Sequence, residues 1–450
     1  MATNTASNYS QDVLDYLDDE LLPLAQRTLV AYGLGEPIKL ERGRGVTYKA
    51  IRLKRLPLPF APISEGVPPV GQLMDLEPIT GVVAQWGALG NITDVAEETV
   101  FHPPFQNLIK MLALQAGETL ERNTYNTLMS GTQVQFANNK ASRFNLLATD
   151  VMTGAELTKV TGILRVLGAP MYDGLMETDI NKDARQGGAK ASSSPRVLEH
   201  YICINHPSIT SDLRGDTDIK TAWSRSDVNR LYNHEIGEWN SVRFCESNMV
   251  PGFTGVAQVN GTPQTTGGAL VDDTYNIIVT ASDTQNQFET LIYQVSTDIV
   301  ISGGSGNGSI DVTLPSTPGF TFSIYVGTST SPINLGLSTD GPAVGSLTGQ
   351  ATQIAAGTAA TVTALGVSQV PPAPVATGVT VYPSFIIGRG AYGQVELKGM
   401  EYTYLDKADK SDPLNQLLTA GWKVFYGSII LNNTFMARIE SGTAFPINFV

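Results

Sequence analysis

Basic charge is missing from one long stretch of this sequence. Residues 254 to 380, 127 positions, contain no Lys, Arg or His against seven acidic residues. Groups that carry chemistry are scarce elsewhere too. The 450-residue chain has four histidines, at 102, 200, 206 and 234, and two cysteines, Cys203 and Cys245. Two thiols so far apart make neither a disulfide framework nor a metal cluster, and buried free thiols are expected. The four histidines form no spaced metal set. No apolar run approaches the length of a membrane span. The N-terminal MATNTASNYSQDVLDYLDDE lacks the basic-then-apolar pattern of a secretory signal, so the expectation is a soluble protein made in a cytoplasm. Charged residues are 16% and the formal charge is −13. Such a surface repels phosphate and argues against a general affinity for nucleic acid.

Motifs that match by letter fail by context. Gly388, Gly390 and Gly393 have the spacing of a dinucleotide fingerprint, which needs a helix next. AYGQVELKG follows instead and reads as strand, so a glycine turn is expected. His234-Glu235 begins like a zincin motif, but Glu238 stands where the second histidine belongs. GGSGNGSID resembles one calcium-binding nonapeptide, lacks the Asp at its sixth place and does not repeat, so it is expected to be a hairpin turn. There is no Gly-x-Ser-x-Gly and no P-loop. Nothing argues for an enzyme, a cofactor or a metal.

What the chain does contain is organised around one helix. In PPFQNLIKMLALQAGETLERNTYNTLMSG, residues 103–131, Pro103 and Pro104 suit a first turn. Phe105, Leu108, Ile109, Leu112, Ala116 and Leu120 then recur at helical spacing. Such a helix is roughly 40 Å long and must lie across a sheet or a neighbouring subunit. Residues 10–32 read as an acidic-first helix with Pro23 as a kink or break. Residues 36–90 read as two extended arms, VTYKAIRLKRL and ITGVVAQWGAL, around a proline-rich tip. A two-stranded ribbon is marginal in water, which places this one against another chain. Its first arm crowds Arg42, Arg44, Lys49, Arg52, Lys54 and Arg55. These six are the candidate intersubunit residues: a solvated strand face, charge pairing with an acidic neighbouring subunit and nucleic-acid contact all remain open for them.

Further along, a short helix is expected at 94–100, and Thr153 to Glu156 form a capping box ahead of a helix ending near Gly168. Residues 181–196 read as a loop, EHYICIN as a buried strand, PSITSDLRGD as a short helix and VRFCES as a strand. Between 254 and 380, alternating runs separated by Gly, Ser, Thr and Pro indicate a β-sandwich, with PPAPVAT as a stiff exit linker. After Tyr382 come two strand runs, a helix opened by SDPLNQLL, and a strand pair turning at Asn432–Asn433.

The stretches ITDVAEETVFHPPFQNLIKMLALQAGETLERNTYNTLMSGTQVQFA, YPSFIIGRGAYGQVELKG and SDPLNQLLTAGWKVFYGSIILNNTFMARIES resemble the major capsid proteins of tailed double-stranded DNA bacteriophages. The last is the most specific: Asp412-Pro413-Leu414, Gly421-Trp422-Lys423 and Arg438-Ile439-Glu440. The resemblance covers roughly 1–253 and 381–450 and leaves out 254–380. It implies an α+β fold with an N-terminal arm (1–35), an extended loop over the adjacent subunit (36–90), a spine helix and peripheral domain (91–149), and an axial domain (150–253 and 381–400). Peripheral C-terminal strands (401–450) complete it, with the sandwich of 254–380, immunoglobulin-like in look, as an insertion.

The implied function is a virion coat protein that self-assembles, in the host bacterial cytoplasm, into hexamers and pentamers of an icosahedral shell. That shell encloses double-stranded DNA without reading its sequence. The implied partners are further copies of the chain, a portal and a decoration protein. The short region before the loop leads us to expect a separate scaffolding protein. The insert reads equally as an outward knob binding glycan or as a stabilising decoration without a ligand. A carbohydrate-binding or tail-fibre protein and an encapsulin-like compartment are the rival readings.

Overall fold

A computed structural model describes residues 29–41, 43, 45–53, 56, 58, 71–100, 104–172, 199–220, 234–283, 289–315, 320–329, 346–347, 359–362, 373–405 and 416–445. The chain divides into two compact units, Met1–Leu128 with Tyr392–Asn432, and Met129–Ala391 with Asn433–Val450. Strands β1–β21 and helices α1–α5 are numbered along the chain. Of the expected helix at 10–32, residues 10–28 lie outside the described residues, and α1 (Ala31–Leu34) is the described helical turn that follows. The loop expected at 181–196 also lies outside them.

The first unit is a sheet under one long helix. Strands β1 (Glu36–Lys39), β19 (Tyr392–Leu405), β20 (Leu417–Ile430) and β4 (Ala84–Thr93) form a four-stranded sheet in that order. Before α2 (Asp94–Thr99), Thr93 caps the helix through its hydroxyl. Then α3 (Pro104–Met129) begins on proline as expected and runs 26 residues. Its Leu112, Ala116 and Leu120 pack on Ala420, Trp422, Val424 and Tyr426, the alternate residues of one β20 face. Helical and strand periods thus meet in one apolar seam. Polar contacts fix the register: Thr124 Oγ1 lies 2.8 Å from the Tyr426 hydroxyl, and Trp422 Nε1 donates to Gln115 at 3.3 Å.

Glu121, also on α3, is fully buried. Its carboxylate accepts from the backbone N–H groups of Val30, Ala31 and Tyr32 at 2.8, 2.7 and 2.7 Å. It satisfies donors at the start of α1 that α1 itself leaves orphaned. Burial raises its pKa.

The run ITGVVAQWGAL is two strands rather than one. β3 (Leu76–Val82) pairs with β2 (Thr47–Leu53), and after Val83 the chain enters β4 in the other sheet. Buried Val83 marks the switch. SDPLNQLL is corrected in part, because Leu417 and Leu418 already belong to β20, while 411–415 lie outside the described residues.

The second unit is built on a mixed sheet with the order β16-β15-β11-β12-β9-β18-β6-β8-β7. Its body strands are β5 (Val134–Phe136), β6 (Tyr201–Asn205), β7 (Glu235–Trp239), β8 (Val242–Glu246), β9 (Phe253–Val256), β18 (Thr380–Ile387) and β21 (Met436–Gly442). β6 and β18 are buried throughout, as continuous apolar runs between two covered faces must be. Helices α4 (Gly154–Val166) and α5 (Pro207–Leu213) cover one face through Leu157, Val160, Leu164, Ile209 and Leu213. The Thr153–Glu156 capping box forms as read. Arg143 and Arg438 converge on Glu440, all three buried, with Arg143 Nε 2.6 Å and Arg438 Nε 2.9 Å from the carboxylate. The arginines hold the Glu440 carboxyl below its ordinary range against the opposing effect of burial.

The 254–380 segment supplies β10 (Gly261–Gln264), β11 (Asp273–Asp283), β12 (Glu289–Tyr293), β13 (Ile299–Ile301), β14 (Ser309–Thr313), β15 (Phe320–Thr328), β16 (Ser346–Leu347) and β17 (Ala359–Val362). A small sheet, β10-β14-β17, faces β11 and β15 across a core that includes Ile277, Val279, Phe322, Ile310 and Val312. This is the expected two-layer packing. Its larger layer, however, continues into the body sheet, because β12 pairs with β9 and β9 with β18. The other face of β11 is also covered: Ile278, Ile292 and Tyr325 share a core with Phe136, Leu146, Phe253, Val375 and Val381.

Three further expectations change. The exit PPAPVAT is packed where it is described, since Val375 is fully buried and Gly255 bridges Thr377. GGSGNGSID is not a hairpin turn: β13 pairs with β11 and β14 with β10, so the loop passes between layers. Asp272 holds it by accepting from Gly303 and Gly304 at 3.1 and 2.9 Å. The C-terminal strands do not pair with each other. β20 pairs with β19 and β4, whereas β21 pairs with β18 and β5. The chain therefore changes unit near Asn432, and β19 runs unbroken past the boundary expected at 400.

Candidate intersubunit surface

The β2–β3 ribbon forms a sheet of its own. Its register opposes Tyr48 to Gly81, Ala50 to Ile79 and Arg52 to Glu77, and these half-buried residues share one face. Tyr48 and Ile79 pack with Val83, Val395 and Ile429, which anchors the ribbon base on its own unit. The other face carries Lys49, Ile51, Leu76, Pro78 and Val82, all exposed. Ile51 is 66% and Val82 67% exposed. Leu56, Leu58, Leu73 and Met74, flanking the tip, are exposed as well. A ribbon with one anchored face and one bare apolar face is the mark of a contact surface.

The six basic candidates are not brought together. Lys49 lies on the exposed face. Arg52 lies on the anchored face, where its guanidinium donates to Asn432 Oδ1 and Glu77 Oε2, both at 2.6 Å. Arg42, Arg44, Lys54 and Arg55 lie outside the described residues. The apolar residues of the exposed face were missed because the reading followed Val46, Tyr48 and Ala50 as the apolar side. Val46 precedes the strand and is exposed. Counting from the other parity, Ile51 and Val82 would have shown the second face.

The same unit offers shallow hollows. One, of about 290 Å³, is lined by Gly43, Gly45, Val46, Leu397, Lys398 and Phe425, with Gly43 and Gly45 both at φ +86°. Another, of about 320 Å³, is lined by Gly87, Ala88, Leu89, Thr403, Gly421, Trp422 and Lys423. Glu401 pairs with Lys398 and with Lys423, the latter at 3.4 Å, and these cations keep its carboxyl below the ordinary range.

Among the described residues, no group of three or more His, Cys, Asp or Glu is gathered to hold a metal. The Gly388–Gly393 turn, with Gly390 at φ +70°, leads into β19 rather than a helix, so no phosphate cradle forms. Buried Glu235, beside His234, pairs with Arg243 at 2.8 Å. Cys203 and Cys245 are free and buried, and burial pushes the Cys245 thiol up to about 12. His206 stacks on Tyr382 with ring centroids 4.1 Å apart and accepts from the Ser208 N–H at 3.2 Å. Its ring caps a helix.

No known family profile and no curated protein matches the sequence. Solved structures do. The chain is similar to the capsid asymmetric unit of cyanophage Pam1, with a TM-score of 0.52 at 11% identity over 96% of this chain and 97% of that one. It is also similar to the capsid of Ralstonia phage GP4 (TM-score 0.49, 8% identity, 97% and 96% covered). The capsid of cyanophage P-SCSP1u gives a TM-score of 0.48 at 10% identity, with 96% and 93% covered. The likeness to the Pam1 capsid shows the fold: this chain has the α+β fold of a phage capsid protein.

Proposed function

We propose that this chain is the major coat subunit of a tailed-phage head, located in the virion capsid and assembling into hexamers and pentamers of a closed icosahedral shell. One observation carries the reading beyond fold likeness: the β2–β3 ribbon, whose outer apolar face its own subunit leaves bare. A shell of copies supplies the missing cover. The ribbon lies over the adjacent subunit, and the hollow beside Phe425 is an apolar seat of the kind it needs. Ring-forming contacts of this kind are heterologous and close by rotation. Lys49 is the described cation placed to pair with an acidic neighbour.

The role is structural, with the interface as the function. Net charge of −13 suits an interior that holds double-stranded DNA without gripping it. A separate scaffolding protein, a portal and a decoration protein are the proposed partners, and assembly takes place in the host cytoplasm. Of the two readings of the 254–380 segment, stabilisation is favoured over glycan binding, because its central sheet is sealed on both faces by apolar cores. Negative-stain microscopy of the purified chain, expressed with and without phage assembly factors, tests the coat reading. Closed shells or five- and six-membered rings are expected; particles that never exceed a monomer or trimer overturn it.

A further inference from the structure

Strand β4 ends the four-stranded sheet, and among the described residues nothing pairs with its outer edge. Natural sheets protect such edges with charge, proline or bulges. The other outer strands of this unit do so: β1 carries Glu36, Pro37 and Lys39, β2 carries Lys49 and Arg52, and β3 carries Glu77 and Pro78. β4, Ala-Gln-Trp-Gly-Ala-Leu-Gly-Asn-Ile-Thr, has neither a charge nor a proline in ten residues. Trp86 is 36% and Leu89 56% exposed. Asn91 and Ile92 are buried, so the exposed part of this edge runs from Ala84 to Gly90, an uncharged stretch long enough to take a strand that fits it.

The size pattern of β4 identifies what fits. A twofold axis normal to the sheet keeps each side chain on its own face, so an antiparallel self-pair must be centred on a residue. Centred on Ala88, the register opposes Trp86 to Gly90 and Leu89 to Gly87. Trp86 and Leu89, the two large exposed side chains of β4, then each meet a glycine. Centring on Gly87 or Leu89 instead opposes Gln85 to Leu89 or Trp86 to Ile92, and the match is lost. Gly87 and Gly90 also have little room for a side chain within their own subunit. A Cβ on Gly87 would lie 2.6 Å from the Trp422 carbonyl, and one on Gly90 2.6 Å from Leu108.

The geometry points to a homotypic β4–β4 contact, in which a second copy of this chain pairs antiparallel about a twofold axis at Ala88 and extends the sheet to eight strands. The contact is isologous; it deepens the shell reading, on which it rests for a twofold position between rings, by naming the strand and the register that would meet there.

Cysteine cross-linking of the full chain tests it. Directly opposed residues in an antiparallel pair have Cα atoms about 4.5–5.5 Å apart, within the disulfide range of about 4.4–6.8 Å. Both native thiols are buried. Under mild oxidation, Ala88→Cys is expected to give mostly disulfide dimers on a non-reducing gel, and Ala84→Cys, far from the axis, to stay monomeric on it. Adding Leu89→Asp, at an exposed position, places two carboxylates near each other across the axis and is expected to cut the Ala88→Cys dimer yield several-fold with the circular dichroism unchanged. A natively folded Ala88→Cys variant that forms no dimer overturns the proposal, as does equal cross-linking from Ala84→Cys. Microscopy of the same samples reads the shell separately: shells without the dimer overturn the pairing alone, and dimers without shells overturn the coat reading alone.

Discussion

Ile277 and Ile278 are neighbours on β11, both fully buried, and they face different cores. Ile277 faces the small β10-β14-β17 layer, whereas Ile278 faces Phe136, Leu146, Phe253 and Val381 of the body. Truncating either to Ala removes buried carbons and leaves a cavity, at a cost of about 2–5 kcal/mol. If 254–380 were a detachable module, both losses would stay inside it. A sheet continuous through β12, β9 and β18 predicts instead that Ile278→Ala weakens the body.

Trypsin separates these outcomes, because no Lys or Arg occurs between Arg243 and Arg389. Cleavage after Arg143 and Arg438, both buried, therefore reports opening of the body alone. Ile278→Ala is expected to raise the population of the cleavable state by more than tenfold, since about 1.4 kcal/mol corresponds to a factor of ten, and to lower the main melting transition by on the order of 5–10 °C. Unchanged cleavage at both arginines, with only a separate minor transition moved, would mean that 254–380 unfolds on its own and that the sheet carries no stability into the body.

Other perturbations follow from single sites. The His206 pKa is depressed by burial from an ordinary 6.5 to about 4, so its neutral form belongs to the fold. Its contribution is intact above pH 6.5 and is lost as pH falls toward 4, by at most about 3 kcal/mol; urea titrations of wild type and His206→Gln across that window should differ by this slope. Glu440→Gln leaves Arg143 and Arg438 buried without their counter-charge and should cost about 3–5 kcal/mol in chemical denaturation. Glu121→Ala strands the N–H groups of Val30, Ala31 and Tyr32, and hydrogen exchange at those amides should rise sharply while that of β6 stays unchanged. Thr153→Ala removes half a capping box and should lower stability by about 1 kcal/mol.

Local signals were legible in the sequence where one residue decides the outcome. Pro104 opens α3, the Thr153–Glu156 box opens α4, and the alternation of VTYKAIRL gives β2. Pairing partners were not legible. A turn at Asn432–Asn433 looks the same whether the next strand folds back or enters another sheet, and here it enters another sheet. The glycine-rich loop at 303–308 fits a hairpin equally well, and only the long-range partners of β13 and β14 show that it joins two layers. The continuous run around Val83 hid a change of sheet because both strands are apolar in alternation. Charge misdirected the reading of the ribbon: Arg52 is held by Glu77 and Asn432 of its own chain, while the uncharged Ile51 and Val82 face outward.

Whether the ribbon finds its cover on another copy is visible in a cryo-electron microscopy reconstruction of assembled particles. The expected result is a closed shell with five- and six-fold clusters in which Ile51 and Val82 are buried against the neighbouring subunit. A ribbon folded back so that those residues are buried by their own subunit, or particles without closed symmetry, would contradict it.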